Sequence, residues 1–399
     1  MSRLSHAANV QRSPTSARSR VTSSLHRICG ARHIPAMPLR PLFGHHELRA
    51  RLANAAQNGR LPASLLFQGA RGVGKQRLAL WLGQLLLCER AITEKLAEPC
   101  GECQQCRYAL RVVHPDLHWY FPRPKNKDGD PSPVDVYEDL AEARAERMEA
   151  DGLWAAPSGT EGFHIATMRA LVLAASNRPA MAKRALFIVG DAERLVVQEG
   201  TDGAANTFLK LLEEPPPGTT LILTSSEAGA LLPTIKSRVV SIRVPSVARV
   251  DLEAFLDDAV VKRRLGTSSR EETVARAGGA PGALFGADST AASYVAARRL
   301  LDAALQPSAP SGTTERIKVA ARFGVAGARG AFSDMLDALT VLLHHRTREL
   351  VVAGHESDAR RTAAALVIVE NAKQRAHGNV SPQLLGASLI GALHRTLRP

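Results

Sequence analysis

Two groups of residues have the types and spacing to do chemistry. Gly69, Gly72, Gly74 and Lys75 lie in LLFQGARGVGKQ, the G-x-x-x-x-G-K pattern of a phosphate-binding loop. In such a loop backbone N–H groups cradle phosphates and the lysine reaches the β- and γ-phosphates. The next position ordinarily holds Ser or Thr, whose hydroxyl binds magnesium, but here it is Gln76. The second group is Cys88, Cys100, Cys103 and Cys106, spaced C-x11-C-x2-C-x2-C. Thiolates two residues apart on a tight turn can face one ion, and four complete a closed tetrahedral zinc site with no open position for substrate. That makes the expected zinc structural. With no secretory segment in view, disulfides are not expected, and an iron–sulfur cluster is the alternative metal reading. Cys29, the fifth cysteine, stands apart from the group.

The phosphate loop needs a strand before it and a helix after it. SLLFQ reads as a buried strand and QRLALWLGQLLLC as the following helix, with HELRARLANAAQNGR a further helix upstream. RALFIVGDAERL reads as a second buried strand ending in an acidic turn, TTLILTSS as a third and SRVVSIRVP as a fourth. Between them IATMRALVLAAS and GAANTFLKLLEEPPP read as helices. The second of these has Ala205, Phe208, Leu209 and Leu212 on one face and is ended by Pro215 to Pro217. Strands alternating with helices predict an α/β fold with a parallel sheet. Residues 124–162 are polar with a charged helical middle and read as a surface insertion. Beyond Pro245 only helical, Ala-rich segments are expected. AGGAPGALF at 277–285 closes a short helical unit, and QPSAPSGTT at 306–314 reads as a linker.

The chain has 399 residues, 45% of them hydrophobic, which is room for two or three domains. No apolar run reaches the ~18 residues of a membrane span. Net charge is +13, which suits a polyanionic partner. Six arginines and no acid fall within residues 1–36, leaving +7 for the rest. That Ser- and Arg-rich stretch is expected to be a disordered extension, either a transit peptide or sequence upstream of a true start at Met37.

In order and spacing, GRLPASLLFQGARGVGK, PCGECQQC, HPDLHWYFP, ANTFLKLLEEPPPGTTLILTSS and LLPTIKSR resemble the clamp-loader subunits of bacterial DNA polymerase III, from Phe43 to Pro245. HPDLHW and the altered loop look more like the delta-prime branch than the ATP-hydrolysing gamma/tau branch. The resemblance implies an AAA+ P-loop domain over 37–245 carrying the zinc module 88–106, a small helical lid over 246–290 and an all-α C-terminal collar over 291–399. It implies gamma/tau and delta subunits as partners in a cytoplasmic hetero-pentamer, with the sliding clamp and, indirectly, primed DNA. No membrane role is implied.

Hydrolysis in this fold needs two acids after the second core strand, one supporting magnesium and one polarising water. In IVGDAERL the resemblance sets Gly190 at the first acidic position and Asp191 at the second, or Ala192 at the second if the register slides by one. Only one carboxylate survives either way, so Gln76 and Gly190 are two defects on the same ion. Hydrolysis is then expected to be lost, while the loop amides and Lys75 can still hold ATP or ADP weakly. LLPTIKSR matches a segment that ends Ser-Arg-Cys in the family, with the arginine entering the next subunit's ATP site. By resemblance these are Ser237 and Arg238, with Val239 in place of the cysteine. An active gamma/tau-type ATPase and a zinc-containing nucleic-acid-binding module with a decayed loop are the competing readings. The pairs His45–His46 and His344–His345 are expected on solvated helix faces. Glu213 and Glu214 are not read as a catalytic pair, and three Trp and four Tyr are too few for a base-stacking surface.

Overall fold

The computed structural model describes residues 38–124, 131–149, 153, 161–195, 202–266, 269–285, 288–321, 323, 328–376 and 381–398. The extension over 1–36, with Met37 and Cys29, lies outside them.

Five parallel strands form one sheet in the order β2-β3-β4-β1-β5: β1 Ser64–Gln68, β2 Leu117–Tyr120, β3 Ala185–Val189, β4 Thr219–Ser225 and β5 Val240–Arg243. Every residue of β3 and β4 is buried, which is why both read as unbroken apolar runs. Helices α1 His46–Gln57, α2 Lys75–Leu87, α3 Gln104–Leu110, α4 Pro133–Glu149, α5 Ile165–Ala175 and α6 Asp202–Glu213 accompany the sheet. In α2 the residues Leu78, Ala79, Leu82 and Leu85 are fully buried, so the helix that follows the loop is rooted in the core. A short α7, Pro233–Lys236, leads into β5.

Two elements differ from expectation. Strand β2 falls in the HPDLHWY segment, where polar residues hide the strand pattern. His118 stacks on Phe187 with centroids 4.5 Å apart, and Asp116 accepts N–H bonds from Met181 at 2.8 Å and Ala182 at 2.7 Å. The polar residues of that segment are therefore structural staples. The supposed surface insertion also contains α4, which buries Val136, Leu140, Ala143 and Met148.

Beyond β5 the described residues are helical: α8 Arg249–Asp257, α9 Ala259–Leu265, α10 Arg270–Ala277, then α11 Asp288–Leu305, α12 Pro310–Ala321, α13 Ala328–Val352, α14 Glu356–Ala376 and α15 Pro382–Leu397. Leu252, Phe255, Val261 and Leu284 form a small core of their own, and Leu300, Leu336, Leu339, Val369 and Leu393 form a separate one. The 306–314 stretch is shorter as a linker than expected, because α12 begins at Pro310, where a proline's fixed φ suits a first helical turn.

Candidate functional site

Because β1, β3 and β4 are parallel neighbours, their carboxyl ends open on one place, which is where ligands bind in such sheets. The phosphate loop leaves β1 there, Asp191 follows β3 and Ser226 follows β4. Gly69 packs under the Val244 carbonyl, Gly72 and Gly74 take φ of 83° and 95°, and Lys75 opens α2.

The loop is engaged by its own chain. Lys75 is buried, and its Nζ donates to the carbonyls of Gly69 at 3.0 Å and Ala70 at 2.9 Å and to Ser226 Oγ at 2.8 Å. Burial lowers its pKa, opposed by the nearby charges of Asp191 and Glu193. Gly282, just after α10, donates its N–H to the Gly72 carbonyl at 2.9 Å. A Cβ on Gly72 would lie 2.8 Å from the Ala283 nitrogen, so this backbone-to-backbone approach needs glycine. Arg71 pairs with Asp334 of α13.

Gln76 stands where a magnesium-binding hydroxyl is expected. Its Nε2 donates to Asp191 Oδ2 at 2.9 Å, and its Oε1 accepts from Trp119 Nε1 at 3.1 Å. A Cβ on Gly190 would meet the Gln76 amide at 2.6 to 2.7 Å. The amide therefore fills the space that a side chain at 190 would use. The two departures noted in the sequence are one packed unit rather than independent losses.

Sequence reasoning missed several neighbours. Glu193, two residues past Asp191 in the same acidic turn, is a second carboxylate at the site: its Oε1 accepts the Ser226 N–H at 3.1 Å and its Oε2 is buried without a hydrogen bond among the described residues. Burial, reinforced by the charge of Asp191, pushes its pKa up to about 7. Arg147 of α4 lays its guanidinium 3.5 Å from the Phe121 ring centroid and 5.2 Å from that of Trp119. Burial lowers its pKa to about 10, opposed by Asp191 and Glu161. His45 is buried rather than solvated, with Nε2 2.8 Å from the Val73 carbonyl of the loop. His46 is exposed as expected and pairs with Asp251 at 2.9 Å.

The four cysteines gather at the far end of α2. Cys88 caps that helix, Cys106 lies in α3, and all four sulfurs fall within 4.8 Å of one another with no disulfide. Four thiolates about 2.3 Å from one ion would sit about 3.8 Å apart, and Cys100 Sγ is 3.9 Å from Cys106 Sγ. Backbone N–H groups of Ala91 and Cys100 point at Cys88 Sγ at 3.3 and 3.4 Å, and those of Cys103 and Cys106 point at the preceding ligand sulfurs at 3.4 Å. Such donors stabilise thiolate charge, so the donor set fits a structural metal. His114 Nε2 meets Gln105 of α3, tying the cluster to the start of β2.

Arg238 follows α7 and stands just before β5. Its Nε donates to Glu213 Oε1 at 2.9 Å, its Nη2 reaches the same oxygen, and its Nη1 donates to the Thr234 carbonyl at 2.7 Å and to Ser237 Oγ at 3.2 Å. Val239 packs against the main core, so an apolar residue there keeps the contact.

A family model described as DNA polymerase III, delta subunit matches residues 44–248, just over half of the chain. The chain belongs to this family. It is 30% identical over 216 residues to DNA polymerase III subunit delta′ of Pseudomonas aeruginosa, covering 54% of this chain and 52% of that one. Against delta′ of Bacillus subtilis it is 29% identical over 187 residues, covering 47% and 43%. DNA polymerase III subunit gamma/tau of Mycobacterium bovis matches at 28% over 197 residues, covering 49% and 27%. The chain thus spans about half the length of the curated delta′ relatives it matches.

Proposed function

We propose that this chain is a delta-prime-type, non-hydrolysing, stator-like subunit of a replicative clamp loader. On this reading it assembles with gamma/tau and delta subunits in a cytoplasmic hetero-pentamer and helps load the sliding clamp on primed DNA. The observation that carries the non-hydrolysing part is Gln76, whose amide bridges Asp191 and Trp119 and fills the space beside Gly190. Magnesium needs hard oxygen ligands and room for its waters. Here the amide turns its N–H to Asp191 and its oxygen to Trp119, so it occupies the carboxylate and the space that such an ion would need. Lys75, saturated by its own loop and Ser226, has to exchange those bonds for phosphate, so ATP or ADP would be held weakly.

The same reading assigns the AAA+ body to 37–245, the lid to 246–290 and the collar to 291–399, with structural zinc on Cys88, Cys100, Cys103 and Cys106. Arg238, presented by Ser237 and α7 on an accessible edge, acts in trans on a neighbour's ATP, stabilising charge on the transferring phosphoryl group. The test is reconstitution of the loader with Lys75→Ala or Arg238→Ala at saturating ATP. Arg238→Ala should preserve assembly and lower DNA- and clamp-stimulated hydrolysis, and Lys75→Ala should change turnover little. The reverse outcome would make the chain an ATPase of the gamma/tau type.

A further inference from the structure

The segment LLEEPPP ends α6 with two glutamates that the roles described so far leave unused. A carboxylate at a helix C-terminus opposes the helix dipole, so helical stability does not account for Glu213 there. What it does touch is Arg238, across 25 positions of sequence. The Nε–Nη2 edge of the guanidinium is held by one carboxylate oxygen, and Nη1 is held by the Thr234 carbonyl and Ser237 Oγ. Acceptors from two separate elements, the end of α6 and α7, therefore fix both position and plane of the group. One N–H of Nη2 is left over, on a side chain that keeps 30% of its exposure. Glu214, next in sequence, makes no such pair among the described residues.

We propose that Glu213 is the positioning residue for Arg238, holding one edge of the guanidinium so that its Nη end is presented to an anionic phosphate on a neighbouring subunit. This rests on the in-trans role proposed for Arg238. Both side chains are well exposed, so the pair adds little to folding stability. Its effect is on orientation: a freed arginine on a flexible stem samples many rotamers, and a misplaced catalytic group forfeits rate even when it is present.

The test uses the loader reconstituted from this chain with its own organism's gamma/tau and delta subunits, sliding clamp and primed DNA. Glu213→Ala should lower the stimulated kcat for ATP by about fivefold, the upper range for an exposed pair, with KM changed less than about twofold. Glu213→Gln, which keeps an acceptor oxygen, should fall between, and Glu214→Ala should match the parent chain. In the Arg238→Ala background, Glu213→Ala should have no further effect. Full activity of Glu213→Ala beside an impaired Arg238→Ala would overturn the positioning role alone. So would a further loss when both are changed, since that marks a merely structural glutamate. An Arg238→Ala loader with full activity would instead remove the in-trans role itself.

Discussion

A single added methyl at Gly190 tests whether the altered metal position is one packed unit. The Cβ of Gly190→Ala would stand 2.6 Å from Gln76 Cδ and Oε1 and 2.7 Å from Nε2. Gln76 is the flexible partner and can yield only by swinging its amide away. That breaks the 2.9 Å bond to Asp191 and the 3.1 Å bond from Trp119. A hydrogen bond to a charged group is worth about 1.5–3 kcal/mol, a neutral one about 0.5–1.5, and an indole N–H left unpaired inside the protein costs about 1–3. With partial relaxation the substitution should cost about 2–4 kcal/mol.

Gln76→Ala should cost a similar amount, because the same bonds go. With Gln76 already removed, the three atoms nearest the methyl at 190 are gone, and the methyl should add less than about 1 kcal/mol, giving a coupling on the order of 2 kcal/mol. In a domain of this size each kcal/mol moves the melting temperature by about 2–4 °C, so thermal unfolding followed by circular dichroism resolves the cycle. The double variant should melt close to either single variant. Additive losses would show that Gly190 and Gln76 are independent, and the account of the site as one unit would fail.

Two other perturbations probe the site and the cluster. Glu193 keeps its proton up to about pH 7 in the folded chain, whereas an unfolded glutamate loses it near 4.3. The folded state then binds more protons across that window, so this group lowers stability as pH rises through it, by on the order of 3–4 kcal/mol by pH 7 and above. Glu193→Gln should remove that slope, raising the melting temperature above pH 7 and matching the parent near pH 4.5. Parallel pH profiles of the two proteins would contradict it. Chelator-free, reducing purification should yield about one zinc per chain, and Cys103→Ser should lower the metal content while leaving the sheet's circular dichroism intact; a metal-free parent protein would refute the assignment.

Much of the scaffold was legible because its elements are doubly buried or strongly periodic. Strands β1, β3 and β4 announce themselves as apolar runs, and the Gly-rich loop fits only between a strand and a helix. Strand β2 was not legible, since His118 and Asp116 break the pattern and owe their burial to Phe187 and to the loop before β3, contacts that no local window contains. The same limit hid His45, which reads as a polar helix residue and is buried only because the loop's Val73 carbonyl meets its ring. For α4 the charged composition pointed outward, yet one stripe of Val136, Leu140, Ala143 and Met148 covers the core and Arg147 spreads over two aromatic rings. A long cationic side chain with an apolar flank can be buried that way.

The candidate site shows why motif departures are best read together. Gln76 alone suggests a lost hydroxyl and Gly190 alone a lost acid, and either could be compensated. In three dimensions the glutamine amide takes the room beside Gly190, bonds Asp191 and is held from behind by Trp119. A threonine at 76 would open space beside Gly190, and an acidic side chain at 190 would collide with the Gln76 amide. The two positions are therefore coupled: a side chain at 190 needs a smaller one at 76. Lys75 is settled in the same way, its three donors satisfied by two loop carbonyls and Ser226 with Asp191 nearby to balance its charge. A buried lysine so satisfied does not need a phosphate to keep the loop folded.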